Sequence, residues 1–384
     1  MSARPDPRIV GWARSAVAPK GGAFKALQPH EIAAPVLREL LARCGIEPEA
    51  VDAVVAGNAL GAGGNPARML GLAAGLPERC AAYSIDTQCC AGLDAVTLAA
   101  GLLASGNASV AIAGGVEAWS RAPIRQHRPL RPGDPALAYE RPAFAPDPAR
   151  DPDMLQSAAR YAANHRYTRS AQDAYAISSH ARALAARDEL AREIVPVAGL
   201  DHDAYPREIT PERAARMPAA VTADASAEWS LSPLSIAPKA DGAAFVLLAT
   251  AQACRRLGLR PRAAWMGSTS LGSAPETPLL AAAQAARTLL QRLGLDIEQC
   301  AAIELHDAFA VQALSFCDAF ALDPQRLARR GSGLARGHPI GASAAIALVR
   351  LLADLDADAS PGALGLAAVA GAGGIGAAAV VEKL

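Results

Sequence analysis

The sequence predicts an α/β protein made of two similar halves, with a smaller lid inserted into the first. Short apolar strands alternate with helical stretches down to residue 120, the pattern of a layered α/β fold. One unit also occurs twice. Cys89 stands three residues before Gly92 at the mouth of a helix, and the strand after that helix runs into Gly114–Gly115. His338 stands three residues before Gly341, and the strand after its helix runs into the glycines of 371–376. Between 121 and 240 the chain turns rich in Arg, Pro and Asp and loses periodicity, which marks the lid. The repeat implies a duplicated unit with pseudo-twofold symmetry, placing Cys89 and His338 at equivalent corners where they can meet.

The elements follow in order. Ile9–Ala13 reads as a short strand and Ile32–Cys44 as an amphipathic helix with Ile32, Val36, Leu37, Leu40 and Leu41 on one side, ended by Gly45. Val51–Gly57 is a second strand. Asn65–Pro66–Ala67–Arg68 opens a helix with proline in its first turn, where the missing N–H costs nothing. Strand 81–85, the cysteine turn, helix 92–104 and strand 109–113 complete the first part. The lid carries helices over 153–164 and 170–187, the second with Ala174, Ile177, Ser178 and Ala181 on a common face. Strands at 243–248, 263–270, 301–305 and 364–370 and helices at 278–293, 308–322 and 342–352 rebuild the body, and Ala377–Val381 reads as an edge strand. The boundaries are 1–120 with 241–255 for the first half, 121–240 for the lid and 256–384 for the second half.

Composition excludes several classes. Lys+Arg and Asp+Glu both total 37, so no global basic surface exists for nucleic acid, and an anionic ligand needs a local site. Apolar residues make up 52% and aromatics only 4%, so Ala, Leu, Gly and Val must build the core. The seven cysteines show no zinc-like spacing, and Cys89 and Cys90 are too close for an ordinary bridge. No metal site is expected. The longest apolar runs break before the roughly 20 residues a membrane span needs. With no signal peptide in evidence, a reducing cytoplasmic location is expected.

Cys89 falls where a strand hands over to a helix, near unpaired backbone N–H groups and the positive end of a helix dipole, a setting that favours a nucleophilic thiolate. An inert buried cysteine is the competing reading. His338, between Gly337 and Pro339, suits a side chain held over a pocket. His306 closes a strand beside Asp307, where ligands of open α/β sheets collect. Turn-stabilising and helix-capping histidines are the plainer alternatives.

At these residues the chain resembles the thiolase superfamily, enzymes that make or cleave carbon–carbon bonds next to coenzyme A thioesters. The matching stretches are Gln88–Cys89–Cys90–Ala91–Gly92–Leu93, Gly114–Gly115–Val116–Glu117, Ala240–Asp241–Gly242–Ala243–Ala244 and Gly337–His338–Pro339–Ile340–Gly341–Ala342. The resemblance covers essentially the full length. It implies a thiolase fold of two α-β-α-β-α layered halves, with Cys89 as the acylated cysteine and His338 as the base that activates it. His306–Asp307–Ala308–Phe309 stands where thiolases usually carry Asn-Glu-Ala-Phe and is similar to the sterol-carrier-protein-type branch. His306 is thereby implied to hold the thioester oxygen together with His338. The substrate is a coenzyme A thioester, with no tightly bound cofactor and lipid metabolism as the setting. A homodimer or homotetramer, on its own or within a complex, is expected to form through the sheet edge carrying the strand near 109–113.

Two departures matter. The family's second catalytic cysteine has no counterpart: Ala370 stands at the matching position, and no cysteine follows Cys317. Loss of an acid/base group typically costs about 10²–10⁴-fold. The remaining Cys-His-His set also resembles the decarboxylating β-ketoacyl synthases, and a non-catalytic scaffold subunit is the third reading. The short Ala-Ser-Gly stretch that cradles pantetheine is replaced by Ser235–Ile236–Ala237–Pro238–Lys239. Lys239, Arg125 and Arg128 are the candidate cations for coenzyme A, with Arg121, His127 and Arg131 as further lid groups.

Overall fold

The structure, a computed structural model, describes residues 7–61, 63–223 and 226–384. Its principal strands in chain order are β1 (Pro7–Ser15), β2 (Ala53–Gly57), β3 (Ala81–Ile85), β4 (Val110–Ala118), β5 (Ala240–Thr250), β6 (Ala263–Gly272), β7 (Cys300–His306), β8 (Leu364–Gly371) and β9 (Ile375–Lys383). They form one continuous path, β7-β8-β9-β6-β1-β5-β4-β2-β3. The principal helices are α1 (Pro29–Cys44), α2 (Pro66–Ala74), α3 (Ala91–Ala104), α4 (Met154–Asn164), α5 (Arg169–Ala185), α6 (Ala281–Leu293), α7 (Ala310–Phe320) and α8 (Ile340–Asp358).

The duplication is visible in the pairing. In the first half β4 runs parallel to β2 and antiparallel to β5, which is antiparallel to β1. In the second half β8 runs parallel to β7 and antiparallel to β9, which is antiparallel to β6. The halves join where β1 meets β6. Helices α3 and α8, which open just after Cys89 and His338, pack on each other and on strands of the sheet, while α1 covers β1 and β5 and α6 covers β6, β8 and β9. Helix α1 buries Ile32, Val36, Leu37, Leu40 and Leu41 as its periodicity dictates, and Gly45 ends it at φ 62°.

Helix α8 meets both strand β4 and helix α3 through glycine because nothing larger fits. A Cβ on Gly115 would lie 1.9 Å from the carbonyl oxygen of Gly341, and one on Gly92 would lie 2.8 Å from the nitrogen of Ala345. This close approach sets the height at which residue 338 stands over residue 89. The lid is tied to the body by buried charge: Arg14 on β1 donates to Glu193 at 2.6 Å and to Asp203 at 2.7 and 2.9 Å, and Glu193 also pairs with Arg350.

Three expectations are corrected. Ala377–Val381 is an interior segment, since β9 pairs with β8 on one side and β6 on the other. Its unbroken small apolar run fits burial on both faces rather than an edge. The strand near 109–113 likewise lies inside the sheet, between β2 and β5; the path ends at β3 on that side and at β7 on the other. On α5 the buried face carries Gln172, Asp173, Tyr175, Ala176, Ser179, His180 and Ala183, not the face through Ala174 and Ile177. The polar members of that face are bonded to neighbours, Asp173 to Ser232 and Ser179 to Ser332, so hydrophobicity alone points to the wrong side.

Candidate active site

At the end of β3, Asp86 Oδ1 accepts hydrogen bonds from the backbone N–H and the side-chain amide of Gln88, at 2.9 and 3.0 Å. That turn holds Gln88 at φ 54°, a left-handed conformation that a glutamine adopts at a cost of order 1–3 kcal/mol. Cys89 follows on a single helical turn leading into α3. From the second half, the His338 N–H donates to Pro238 O at 2.7 Å, and Trp119 Nε1 donates to His338 O at 3.0 Å. These two bonds fix the histidine's backbone on both sides.

The side chains then meet: Cys89 Sγ lies 3.2 Å from His338 Nε2. On the far side of the ring, Nδ1 lies 2.7 Å from Ser343 Oγ, and that hydroxyl donates its one proton to Pro339 O at 2.9 Å. Ser343 must therefore accept from Nδ1–H, so the ring's lone pair is on Nε2, facing the thiol. The arrangement is that of a base aimed at a nucleophile and oriented by a third group. The backbone N–H groups of Ala372 and Cys89 itself point at the sulfur.

Electrostatics correct the expected resting state. Burial pushes the Cys89 thiol up to about 12, with smaller contributions from Glu117 and Asp86, against the pull of the two N–H groups. Burial lowers His338 to about 4. The helix-end position favours thiolate, but desolvation outweighs it. Burial thus favours thiol and neutral imidazole over the ion pair.

His306 is brought beside the pair. Its ring stacks on His338, centroids 4.4 Å apart and planes at 28°. It is buried, with Nε2 unpartnered, and is held well below its usual range by burial and by His338 and Arg336 nearby. The backbone of Gly333 presses on the Nδ1–Cε1 edge, where a Cβ would come within 2.8 Å. Unlike His338, His306 is not part of the cavity wall.

That cavity, about 320 Å³, is lined by Cys89, His338, Trp119, Met154, Phe309 and Ala370 among others. A larger groove of about 950 Å³, between Arg43, Arg262, Arg330 and Lys383, touches none of these residues. No second thiol faces the catalytic cavity among the described residues: Cys90 is buried, its Sγ 3.8 Å from the carbonyls of Val369 and Ile375. Lys239 and Arg125 line the cavity, and the Lys239 ammonium sits 4.6 Å from the Trp119 ring centre. Arg128, Arg121 and Arg131 do not. Arg128 and Arg131 lie on the exposed hairpin whose strands are Gln126–His127 and Leu137–Ala138, and the His127 ring stacks on Tyr139.

Three contributors were not singled out from sequence. Ser343 follows His338 by five positions, with no signal that it would reach the ring. The N–H of Ala372 belongs to the terminal glycine cluster, whose closeness to Cys89 only the pairing of the halves reveals. Glu117, part of a matching stretch but given no role, accepts hydrogen bonds from Asn58 Nδ2, the N–H groups of Ala59 and Leu60, and the N–H of Gly341.

Fold and site define a layered α/β enzyme with a half-buried cysteine–histidine pair at the junction of two halves. Residues 8–252 match the thiolase N-terminal domain and residues 259–383 the thiolase C-terminal domain. The chain belongs to the thiolase family. It is 34% identical to an acetyl-CoA acetyltransferase of Thiocystis violacea and 34% identical to the β-ketoadipyl-CoA thiolase of Pseudomonas aeruginosa, with 98% of both chains covered in each case. Among solved structures it resembles the Bacillus anthracis acetyl-CoA acetyltransferase (TM-score 0.92, 31% identity, all of both chains). It also resembles the Acat5 thiolase of Ascaris suum in complex with coenzyme A (TM-score 0.89, 28% identity, 99% of this chain and all of the other). The protein is an acyltransferase of the thiolase type.

Proposed function

We propose that the protein takes acyl groups from coenzyme A thioesters onto Cys89. The Cys89–His338 contact at 3.2 Å, with Nδ1 committed to Ser343, carries this assignment. As Sγ bonds to the thioester carbonyl, the thiol proton passes to Nε2 of His338. The N–H groups of Ala372 and Cys89 receive the tetrahedral oxyanion. The carbon–sulfur bond to coenzyme A then breaks, and the leaving thiolate takes the proton back from His338. His306 stacks behind His338 outside the cavity wall, so its role is to hold that ring over Cys89 rather than to touch the thioester oxygen. Lys239 at the cavity wall is the cation assigned to the coenzyme A side.

The acyl-transfer half of the reaction is complete in these residues. The carbon–carbon half lacks a thiol, because Ala370 occupies the wall beside Cys89, so condensation and cleavage are expected to be slow. Incubation with acetyl-CoA followed by intact-protein mass measurement tests the assignment. The parent gains one acetyl group and Cys89→Ala gains none; a bare parent, or an adduct that survives the substitution, overturns it.

We further propose a homodimer joined at β3. That strand is one of the two end strands of the sheet, beside α2, and Tyr83 on it and Met69 and Leu72 on α2 are each 46% exposed, an apolar edge of the kind that pairs with another chain. All seven cysteines are free, which suits a reducing cytoplasm, where a nucleophilic Cys89 persists.

A further inference from the structure

A second cavity of about 330 Å³ adjoins the catalytic one and shares Leu60, Trp119, Arg125 and Glu140 with it. Its remaining wall mixes carbon from Ala122, Pro123, Ile124 and Ala138 with polar groups from Lys20, Ser120 and Tyr139. We infer that this cavity receives the far end of a carboxylate-bearing acyl group, so that the preferred donors are ω-carboxyacyl thioesters. The inference rests on the acyl-Cys89 reading and names the substrate class of that site.

Arg125 is the centre of the argument. It is half-buried, and its Nη2 donates to the carbonyls of Ala59 and Leu60 at 3.3 and 3.1 Å. Those bonds fix the guanidinium in place without neutralising it. Nη1 and Nε have no partner among the described residues, leaving N–H groups on both sides of the committed Nη2 free to donate. A guanidinium held this way is suited to a carboxylate, which accepts a charge-assisted hydrogen bond from Nη1 or Nε. The backbone carbonyl of Arg125 accepts from Tyr139 N–H at 3.0 Å, so the hairpin base holds the arginine in position.

The surrounding charge agrees. Lys20 lines the same cavity and forms no ion pair among the described residues; its field reaches Asp241, whose carboxylate is already taken by the N–H and hydroxyl of Ser120. Glu140 supplies one opposing charge, leaving the cavity net positive with Arg125 and Lys20. Phosphates of coenzyme A are the other anions present in the reaction. The pantetheine arm holds them far from the sulfur that is attacked, whereas this cavity shares walls with the one containing Cys89. A plain alkyl chain would bury the free N–H groups of Arg125 with no acceptor, and an unsatisfied charged donor costs more than the methylene contacts return.

The test measures acyl-cysteine formation by intact-protein mass with glutaryl-CoA against valeryl-CoA, which match in chain length and differ in the terminal carboxylate. The parent is expected to load glutaryl about tenfold or more faster, the order of one hydrogen bond to a charged group. Arg125→Gln should bring the ratio close to one, and Lys20→Gln, an independent and exposed position, should lower it by a smaller factor. Equal loading of the two donors by the parent overturns the inference while leaving acyl transfer standing. Loss of both donors in parallel in Arg125→Gln, with their ratio unchanged, assigns the arginine to coenzyme A or to folding and also overturns it. No loading from either donor also overturns the inference, and loading from acetyl-CoA in the same preparation shows whether acyl transfer to Cys89 still stands.

Discussion

The carboxylate of Glu117, at the end of β4 in the first half, accepts the backbone N–H of Gly341 at 3.0 Å, in the first turn of α8 in the second half. The same carboxylate gathers Asn58, Ala59 and Leu60, so one buried side chain sews together three segments around the cysteine–histidine pair. Glu117→Gln replaces an all-acceptor group with one that presents an N–H₂ to these donors. A loss of about 2–4 kcal/mol is expected, the order seen when buried donors lose their acceptor, measured by urea unfolding. Burial raises Glu117 to about 7, opposed by those N–H bonds. A raised acid binds more protons folded than unfolded, so its share of stability is full below its ordinary range and fades as pH rises through 7. Glu117→Gln should therefore flatten the decline in Tm between pH 5 and 8; an unchanged slope would count against the assignment.

The neutral resting pair has its own signature. His338 can accept the thiol proton only while unprotonated, and it sits near 4 rather than in the usual imidazole range. Acylation from acetyl-CoA should stay level through neutral pH and fall only as pH drops toward 4. Ser343→Ala frees Nδ1 and lets the ring take the tautomer with its proton on Nε2, facing the sulfur. Acylation should slow by about 10–100-fold, within the range of impaired general-base catalysis, with little change in Tm. Rapid-quench acylation rates against pH for both proteins decide it; an acid limb near 6.5 in the parent would rule out the lowered His338.

How much of this could be read from the sequence differs by residue. Cys89 and His338 were legible because nucleophile and base sit in glycine-punctuated turns that repeat, and the repeat supplies the reason they meet. The sheet order was not: local periodicity identifies β9 and β4 as strands but says nothing about neighbours, and pairing on both sides places each inside the sheet. The protonation state was also hidden, because a helix end can be seen in sequence while the desolvation that outweighs it depends on what closes over the sulfur. Ser343 and the N–H of Ala372 act through geometry alone. Arg128, grouped with Arg125 by sequence, separates from it because the hairpin turns one into a cavity wall and the other into solvent.

Edge pairing gives a third prediction. Tyr83 on β3 is flanked by the exposed Met69 and Leu72 of α2. Tyr83→Asp would place a charge where two copies of the edge would lie against each other, and like charges facing across a strand pair are unfavourable. The parent should run as a dimer in light scattering and the variant should shift toward monomer. A parent that is monomeric at micromolar concentration refutes the edge assignment.

Ala370 offers the sharpest test of what the chain has lost. It follows Val369 near the end of β8, lines the catalytic cavity and is 8% exposed, so a side chain there faces the same space as Cys89. Cys90 cannot substitute, because its sulfur is turned away toward the carbonyls of Val369 and Ile375. Ala370→Cys adds one sulfur atom at the wall of an existing cavity, which leaves room for it without displacing backbone. If the missing thiol is what limits proton transfer at the α-carbon, thiolysis of acetoacetyl-CoA should rise by about 10²-fold or more, the usual worth of an acid/base group. Formation of the acetyl-cysteine at position 89 should change little, since that half-reaction uses His338 alone. A variant that gains nothing in thiolysis while still acylating at the parental rate would show that some other group moves the α-proton in this enzyme.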